Sequence, residues 1–485
     1  MEAALRFDTE DFLTPESDGA LEALLDVLDR HGAAATFPLV AEKVRSWERL
    51  GRAGLLRRLR RHALGYHSAT HSVHPTIAEE LAPLSWEAAQ EAFAAREAAG
   101  FAAVREACGS PACWTQPGGN WTAAALPVLR RWGVRFEFSE QWNSYLDFGG
   151  RPCRFAGLLH WSPPVRAPKP FLSALPDCLD VALDAARAAL EAEAGPVCVV
   201  AHPTELCTTA FWDAVNFAAG RQAPREAWRP APLRSAAEVA EAAAALDRYI
   251  GGLCAMGCRF VTAADLAERF PDRARGARLP RSEVAALAGC VVDRAGWAVR
   301  GGLSLSAAEV LDLVCRALAA PGAASLEVRH RDGPAEAPPE GALQGPVARA
   351  DLVVAAAWTA AFLEERGRVP AAVPVGRATA APADLLAAAA RALRDPDAAA
   401  LELRAVPLPA EGCVKAPARL HWDWPVFAPG FAPFGLWRQA RLQAWTLKPA
   451  LPEAPAGPWR PWPAGGPAPA QGPGASAPNA AGGGG

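Results

Sequence analysis

Three short stretches hold side chains that could do chemistry together. "LRFDTEDFLTP" places Asp8, Glu10 and Asp11 within four residues, directly after an apolar run. "GYHSATHSVHPT" sets His67 and His71 four residues apart, with small and hydroxyl-bearing residues between them, and His74 follows. "PVCVVAHPT" ends a longer apolar run on His202. Two imidazoles spaced i, i+4 on a helix or a tight turn can grip one divalent ion. An added carboxylate gives a set suited to Zn²⁺ or a similar ion, with positions left open for water. A second carboxylate beside that set can act as general base, and a histidine on the far side as general acid. Together these make an apparatus for metal-assisted hydrolysis of an amide or ester. Taken singly, each element has a plainer explanation, since clustered acids solvate turns and paired histidines often serve packing.

The residues can meet only if the chain brings the ends of several apolar runs to one place. Over the first 270 or so residues such runs alternate with amphipathic helices: "ALRF", "AAATFPLV", "ALGYH", "VRFEF" and "PVCVV" read as strands. "DGALEALLDVLDRHG", "SWEAAQEAFAAREAAGF" and "SAAEVAEAAAALDRYIGGLCAMG" read as helices. The alternation implies an α/β sheet with parallel strands, open or barrel-like. Strand C-terminal ends gather on one face of such a sheet, so the acids after "LRF", the histidines after "ALGY" and the histidine after "PVCVV" are expected to converge there.

From about Arg275 helices separated by Pro/Gly-rich joints dominate. "GGLSLSAAEVLDLVCRAL" (301–318) aligns with "GRATAAPADLLAAAARAL" (376–393) at a constant offset, which points to a two-copy repeat. The expected organisation is a catalytic α/β region over 1–274 and a smaller, mainly helical accessory domain over 275–400. An aromatic and proline-rich extended arm follows over 401–451, then a Pro/Gly/Ala-rich tail over 452–485 expected to be disordered.

Composition narrows the partners. The 485 residues are 51% hydrophobic and 21% charged with a formal net charge of −3, which gives no reason to expect nucleic acid or an anionic membrane. No run approaches the 18 or so apolar residues of a membrane span. No basic-then-apolar segment of the secretory kind precedes the first strand, so the cytoplasm is the expected location. Eleven scattered cysteines fit reduced thiols there, and the close pairs Cys108/Cys113 and Cys254/Cys258 lack a second pair at zinc-finger spacing.

The ordered set of an acidic cluster, "HSATH", the Pro-Gly loop "TQPGGNW" and "VVAHP" resembles the polysaccharide deacetylase family (NodB-homology, family-four carbohydrate esterases) over about residues 5–270. The resemblance implies an irregular or distorted (β/α) barrel and a metal-dependent deacetylase acting on an N-acylated sugar or related small molecule. It implies Asp8 as the base that takes a proton from the attacking water, His67 and His71 as metal ligands, and His202 as the acid that protonates the leaving amine. The third ligand is the acid following the base. Here Asp11 is preferred, with Glu10 as the alternative, because the longer Glu side chain more easily faces away. The metal implied is Zn, with Co, Ni or Mn as alternatives. Gln116, Pro117, Gly118, Gly119 and Trp121 form the loop expected to contact substrate and oxyanion. One departure stands out: the family commonly carries Arg-x-Pro-x-Gly, with the Arg orienting the base, and Thr115 stands at that position here. Either another Arg fills the gap or the substrate differs.

Further on, "EERGRVPAAVPVGRATAAPADLLAAAARAL", within about 282–395, is similar to the pseudomurein-binding repeat, which implies glycan contact through the helical domain. Two alternatives stay open beside the deacetylase. One is a hydrolase of a non-sugar amide such as a cyclic ureide, with or without a metal. The other is a catalytically silent glycan-binding protein.

Overall fold

Parallel strands covered on both faces need apolar side chains at nearly every position, and apolar runs within the first 260 or so residues supply them. The computed structural model describes residues 1–140, 144–162, 171–192, 195–420 and 424–461. The first sheet is built from β1 (Glu2–Phe7), β2 (Thr36–Leu39), β3 (Ala63–Tyr66), β4 (Phe136–Phe138), β5 (Cys153–Phe155), β6 (Leu158–Trp161), β7 (Val197–Ala201) and β8 (Arg259–Phe260). β3, β2, β1 and β7 run side by side in parallel, and β8 joins β1. Trp114 bridges both Tyr66 and Glu137, which carries the sheet across to β4, β6 and β5. Among the described residues no ladder joins β7 to the far end. The expected mixed α/β architecture with a parallel sheet is present, and among the described residues the sheet does not close.

Register decides what meets at the sheet's edge. Phe7 pairs with Ala201, and the Asp8 amide donates to the Ala201 carbonyl at 2.9 Å, so the acids after β1 lie beside His202 after β7. Leu39 pairs with Tyr66, and the His67 amide donates to the Leu39 carbonyl at 2.9 Å. The three chemically loaded stretches therefore share one end of the sheet.

Helices cover it by ordinary means. Glu16–His31 carries acids in its first turn and basic residues in its last, and stops at Gly32 in the left-handed region. Ala236–Ala255 opens with a capping box, Ser235 and Glu238 each satisfying the other's amide. Their buried faces join β1, β2 and β7 in one hydrophobic core.

Two successive segments beyond the first sheet have the same order of elements. Strand Arg278–Pro280, helix Arg281–Ala288, hairpin Ala298–Arg300/Leu303–Leu305, helix Ala307–Ala319 and strand Ser325–Glu327 form one unit. Gly345–Ala348, Arg349–Arg366, Val373–Val375/Ala378–Ala380, Pro382–Arg394 and Ala400–Leu403 repeat that order. In each unit the first and last strands pair antiparallel. Gly301 and Gly376 take the same left-handed turn position, at φ +56° and +60°. The region is thus a pair of strand-trimmed helical units around a second core, not helices alone.

The units differ at one edge. Arg460–Pro461 adds a strand to the first hairpin, Arg460 opposite Val299. At the equivalent place in the second hairpin stands Pro374, which has no N–H to offer. The tail expected to lack structure beyond 452 is therefore paired at 460–461, and its remainder, 462–485, lies outside the described residues. The aromatic arm fastens to both cores. Gln439 Nε2 donates to the Leu84 carbonyl (3.0 Å), Lys448–Pro449 pairs with β5, and Lys448 Nζ meets Glu309 at 2.9 Å. All eleven cysteines are free, and among the described residues no helix is long and apolar enough to cross a membrane.

Candidate active site

The backbone stays extended past the end of β1. Thr9 bridges Leu39, its amide donating to the Pro38 carbonyl (2.8 Å) and its carbonyl accepting from Val40 N (3.2 Å). Side chains alternate along extended chain, so Arg6, Asp8 and Glu10 face the same way, and all three line one cavity. Arg6 is buried and forks between carboxylates: Nη2 reaches Asp8 Oδ2 at 2.9 Å and Glu140 Oε1 at 3.2 Å, while Nη1 donates to the Phe138 carbonyl at 2.8 Å. Burial works to protonate Asp8, but the charges of Arg6, His67 and His202 outweigh it and hold the carboxyl below its ordinary range. Asp8 Oδ1 is buried with no hydrogen-bond partner.

The histidines come from a tight turn. Ser68 and His71 both hold left-handed backbone, at φ 72° and 57°. The turn is pinned by His71 N donating to Ser68 Oγ (2.9 Å) and by Glu97, whose Oε2 accepts from Ala69 N (2.7 Å) and Tyr66 Oη (2.5 Å). Each imidazole has its Nδ1 engaged behind it. His67 Nδ1 meets the Thr115 carbonyl at 2.9 Å and its hydroxyl at 2.7 Å, whereas His71 Nδ1 pairs with Ser72 Oγ, which donates to Asp213 Oδ2 at 3.1 Å. Such outer partners fix tautomer and ring direction. Both Nε2 atoms then face Glu10 Oε2, at 3.5 Å for His67 and 2.8 Å for His71.

The preference for Asp11 as third ligand has to be corrected on this geometry. Asp11 sits out of phase with Asp8, and its carboxylate is spent on local structure. Oδ1 accepts from Leu13 N (3.0 Å) and Thr14 N (2.9 Å), and Oδ2 accepts from Thr204 Oγ1 (2.8 Å). Burial raises the Asp11 pKa, while Glu10, equally buried but facing His71, His202 and His67, is held well below its ordinary value. Glu10, His67 and His71 offer one ligand atom each, all within 4.8 Å of one another, and these three could hold a divalent ion. The donor set, a carboxylate and two imidazoles whose Nδ1 atoms are held by Thr115 and Ser72, fits such an ion.

His202 stands across the cavity. Glu205 Oε1 accepts from its Nδ1 (2.7 Å) and main-chain N (3.2 Å), and Phe211 packs edge-on at 4.9 Å. Burial disfavours its charged form, but Glu10, Glu205 and Asp8 together raise its pKa to about 9. Of the expected substrate loop, Gln116, Gly118 and Gly119 line the cavity, whereas the Pro117 carbonyl accepts from Asn120 N to close the turn. Trp121 is a correction: it is buried in the core, 4.7 Å from the Tyr145 ring and 5.8 Å from Phe155, and does not line the cavity.

Sequence reasoning missed several contributors. Arg6 had a signal, a lone charge inside an apolar strand and in phase with Asp8. Asp213 and Phe211 follow β7 with no motif, and Trp424 and Pro425 arrive from the distant arm.

No family model matches this chain, and no curated protein does. Solved structures similar to it are family 4 carbohydrate esterases and their relatives. The family 4 carbohydrate esterase from Streptomyces lividans in complex with acetate is 16% identical, with 54% of this chain and 91% of that one covered at a TM-score of 0.29. The Bc1960 peptidoglycan N-acetylglucosamine deacetylase is 15% identical, with 54% and 85% covered at 0.31. BA3943 from Bacillus anthracis, a pseudoenzyme of the same esterase family, is 14% identical, with 55% and 65% covered at 0.31. At these values the functional reading rests on the geometry of the site.

Proposed function

We propose that this chain is a metal-dependent hydrolase that removes the acyl group from an N-acylated sugar or a related small amide. The observation that carries the reading is the convergence of Glu10, His67 and His71 beside Asp8, whose Oδ1 is free and buried. Glu10 and the two Nε2 atoms would hold the ion, Zn²⁺ suiting the donors best. Bound there, a divalent ion supplies Lewis-acid polarisation of the acyl carbonyl and of the attacking water.

The chain's own residues do the rest. Arg6 occupies Asp8 Oδ2 and keeps the carboxylate ionised, which leaves Oδ1 to take the proton from water as it attacks the acyl carbon. His202, whose charged form Glu205 and Asp8 favour, gives a proton to the departing amine nitrogen. Glu205 fixes the His202 ring by holding Nδ1, so that Nε2 is the atom that faces substrate. The sequence resemblance to polysaccharide deacetylases supports the same assignment of Asp8, His67, His71 and His202.

Thr115 had left room for a metal-free ureide hydrolase. With Arg6 supplying the cation on Asp8, that departure no longer favours the ureide reading, and Thr115 serves His67 instead. The direct test is acetate release from N-acetylglucosamine and its dimer by protein stripped with chelator and then reloaded with Zn²⁺. Activity lost and regained supports the reading. Release that ignores chelation, or a ureide turned over in preference, contradicts it.

A further inference from the structure

The cavity, about 490 Å³, has a wall that hydrolysis itself does not require. Trp424 and Pro425 form it, from the far end of the chain. The Trp424 indole lies directly on Gly118, where an added Cβ would stand 2.2 Å from the ring, with φ at +43°, and it meets His71 edge-on at 5.7 Å. Phe427 lies on Gly119 in the same manner, 2.9 Å from where a Cβ would be. The two glycines of the Pro-Gly loop are thus needed by the arm that packs on them as well as by the turn.

A few residues on, the arm is bound to the opposite bank. Ala219 N donates to the Pro425 carbonyl and Gly220 N to the Val426 carbonyl, each at 2.8 Å. Val426 is fully buried among Trp212, Phe217 and Ala231. Helix Trp212–Phe217 carries Asp213 and Ala214, which line the cavity on that side. Residues 424–427 therefore cross the rim from the 116–119 loop to the segment after this helix. A turn closed by Phe427 N donating to the Trp424 carbonyl (2.9 Å) holds the crossing piece in shape. Two main-chain hydrogen bonds and a buried valine make it a fixed wall.

A long polymer processed at an interior unit must leave the site in two directions. Here Trp424 and Pro425 stand as a wall on one side of the cavity, tied down at both banks. We infer that the site takes small N-acylated molecules, or the terminal unit of a longer chain, and excludes interior units, with Trp424 as the residue that sets this limit. The inference rests on the deacylase reading above. A volume of about 490 Å³ suits it, lying within the ~300–1,000 Å³ of small-molecule pockets.

The test uses the full chain loaded with Zn²⁺. Two probes are compared, the N-acetylglucosamine dimer and a soluble N-acetylated glucosamine polymer long enough that its ends are negligible. Acetate release and calorimetric binding are both measured. The wild type is expected to bind and hydrolyse the dimer and to leave the polymer's interior units acetylated, as read by NMR of the product. Trp424→Ala is expected to raise kcat/KM on the polymer relative to the dimer by at least about tenfold, and Trp424→Phe to stay close to wild type. Melting curves identify a variant that has not folded, in which case Trp424→Phe and the wild-type probe comparison still decide.

Polymer hydrolysed or bound by the wild type as well as the dimer would overturn the inference while leaving the deacylase reading intact. A folded Trp424→Ala with unchanged selectivity would also overturn it. Neither probe bound nor hydrolysed would overturn the deacylase reading, and the inference with it.

Discussion

Replacing Arg6 by Met removes the buried cation that lies between Asp8 and Glu140 and takes from Asp8 its ion pair. Breaking a buried ion pair by deleting one partner costs about 3–5 kcal/mol, because the other charge stays buried without its counterpart. At roughly 2–4 °C per kcal/mol for a unit of this size, Tm at pH 7 should fall by about 6–20 °C. The loss should also depend on pH, with a definite sign. In the wild type the Asp8 pKa lies below its unfolded value of 3.8, so Asp8 adds stability above that pH and loses it as pH falls through the folded value. Without Arg6 its strongest opponent is gone, and burial pushes the Asp8 carboxyl up. The variant's deficit should therefore be widest at neutral pH and shrink as pH falls toward 4. In activity, the acid limb of kcat/KM should move to higher pH, since the base now needs a higher pH to ionise. Arg6→Lys, which keeps the charge without the fork, should fall between the two. Thermal melts at pH 7 and pH 4.5 together with a pH–rate profile make the assay. A deficit constant with pH, alongside an unmoved acid limb, would refute the assignment of Arg6 as the group that keeps Asp8 ionised.

His202→Ala should lower kcat roughly 10²–10⁴-fold while bound metal stays stoichiometric, and the wild-type rate should show an alkaline limb, where His202 loses its proton, that the variant lacks; metal analysis beside a pH–rate profile checks both. Ser72→Ala removes the link between His71 Nδ1 and Asp213, and should weaken metal binding roughly 10–100-fold with little change in Tm, which competition with a chelating dye would read. Asp332 is half-buried, which works to raise its pKa, yet hydrogen bonds and charge from His330 and Arg130 bring it down to about 2 from 3.8. Its stabilisation, about 2 kcal/mol, is present above pH 3.8 and fades as pH falls toward 2. Urea unfolding of Asp332→Asn should accordingly show that deficit at pH 7 and a much smaller one near pH 2.5.

The parts of this site legible in the sequence were those set by local chemistry. Apolar runs announced β1, β3 and β7, and parallel-sheet geometry then required Asp8, His67 and His202 to share an edge. The choice between Glu10 and Asp11 turned on side-chain length, although strand alternation was the stronger constraint: two residues past Asp8 shares its face, three does not. The same phase relation places Arg6 beside Asp8, in the role that the family's motif gives to an Arg at the position of Thr115. The hydrogen bonds that Asp11 makes to Leu13 and Thr14 are a common local use of Asp at the end of a strand. Trp424 was beyond reach, because nothing in "HWDWPVFAPGF" says which distant glycine its indole covers. Trp121 was misplaced for a related reason. A tryptophan in a motif loop can face substrate or core, and only the neighbouring rings of Tyr145 and Phe155 decide it. The repeat was readable from its constant offset, but the strands that frame each unit are too short to carry a periodic signal.

The central claim is that Glu10, with His67 and His71, holds a divalent ion beside Asp8. Metal content of the purified protein, measured by mass spectrometry for the wild type, Glu10→Gln, Asp11→Asn and His67→Ala/His71→Ala, tests it most directly. The account predicts one equivalent in the wild type and in Asp11→Asn, and loss of the metal in Glu10→Gln and in the double histidine variant. A folded Glu10→Gln that keeps its metal while Asp11→Asn loses it, or a wild type that binds none when Zn²⁺ is supplied, would contradict it.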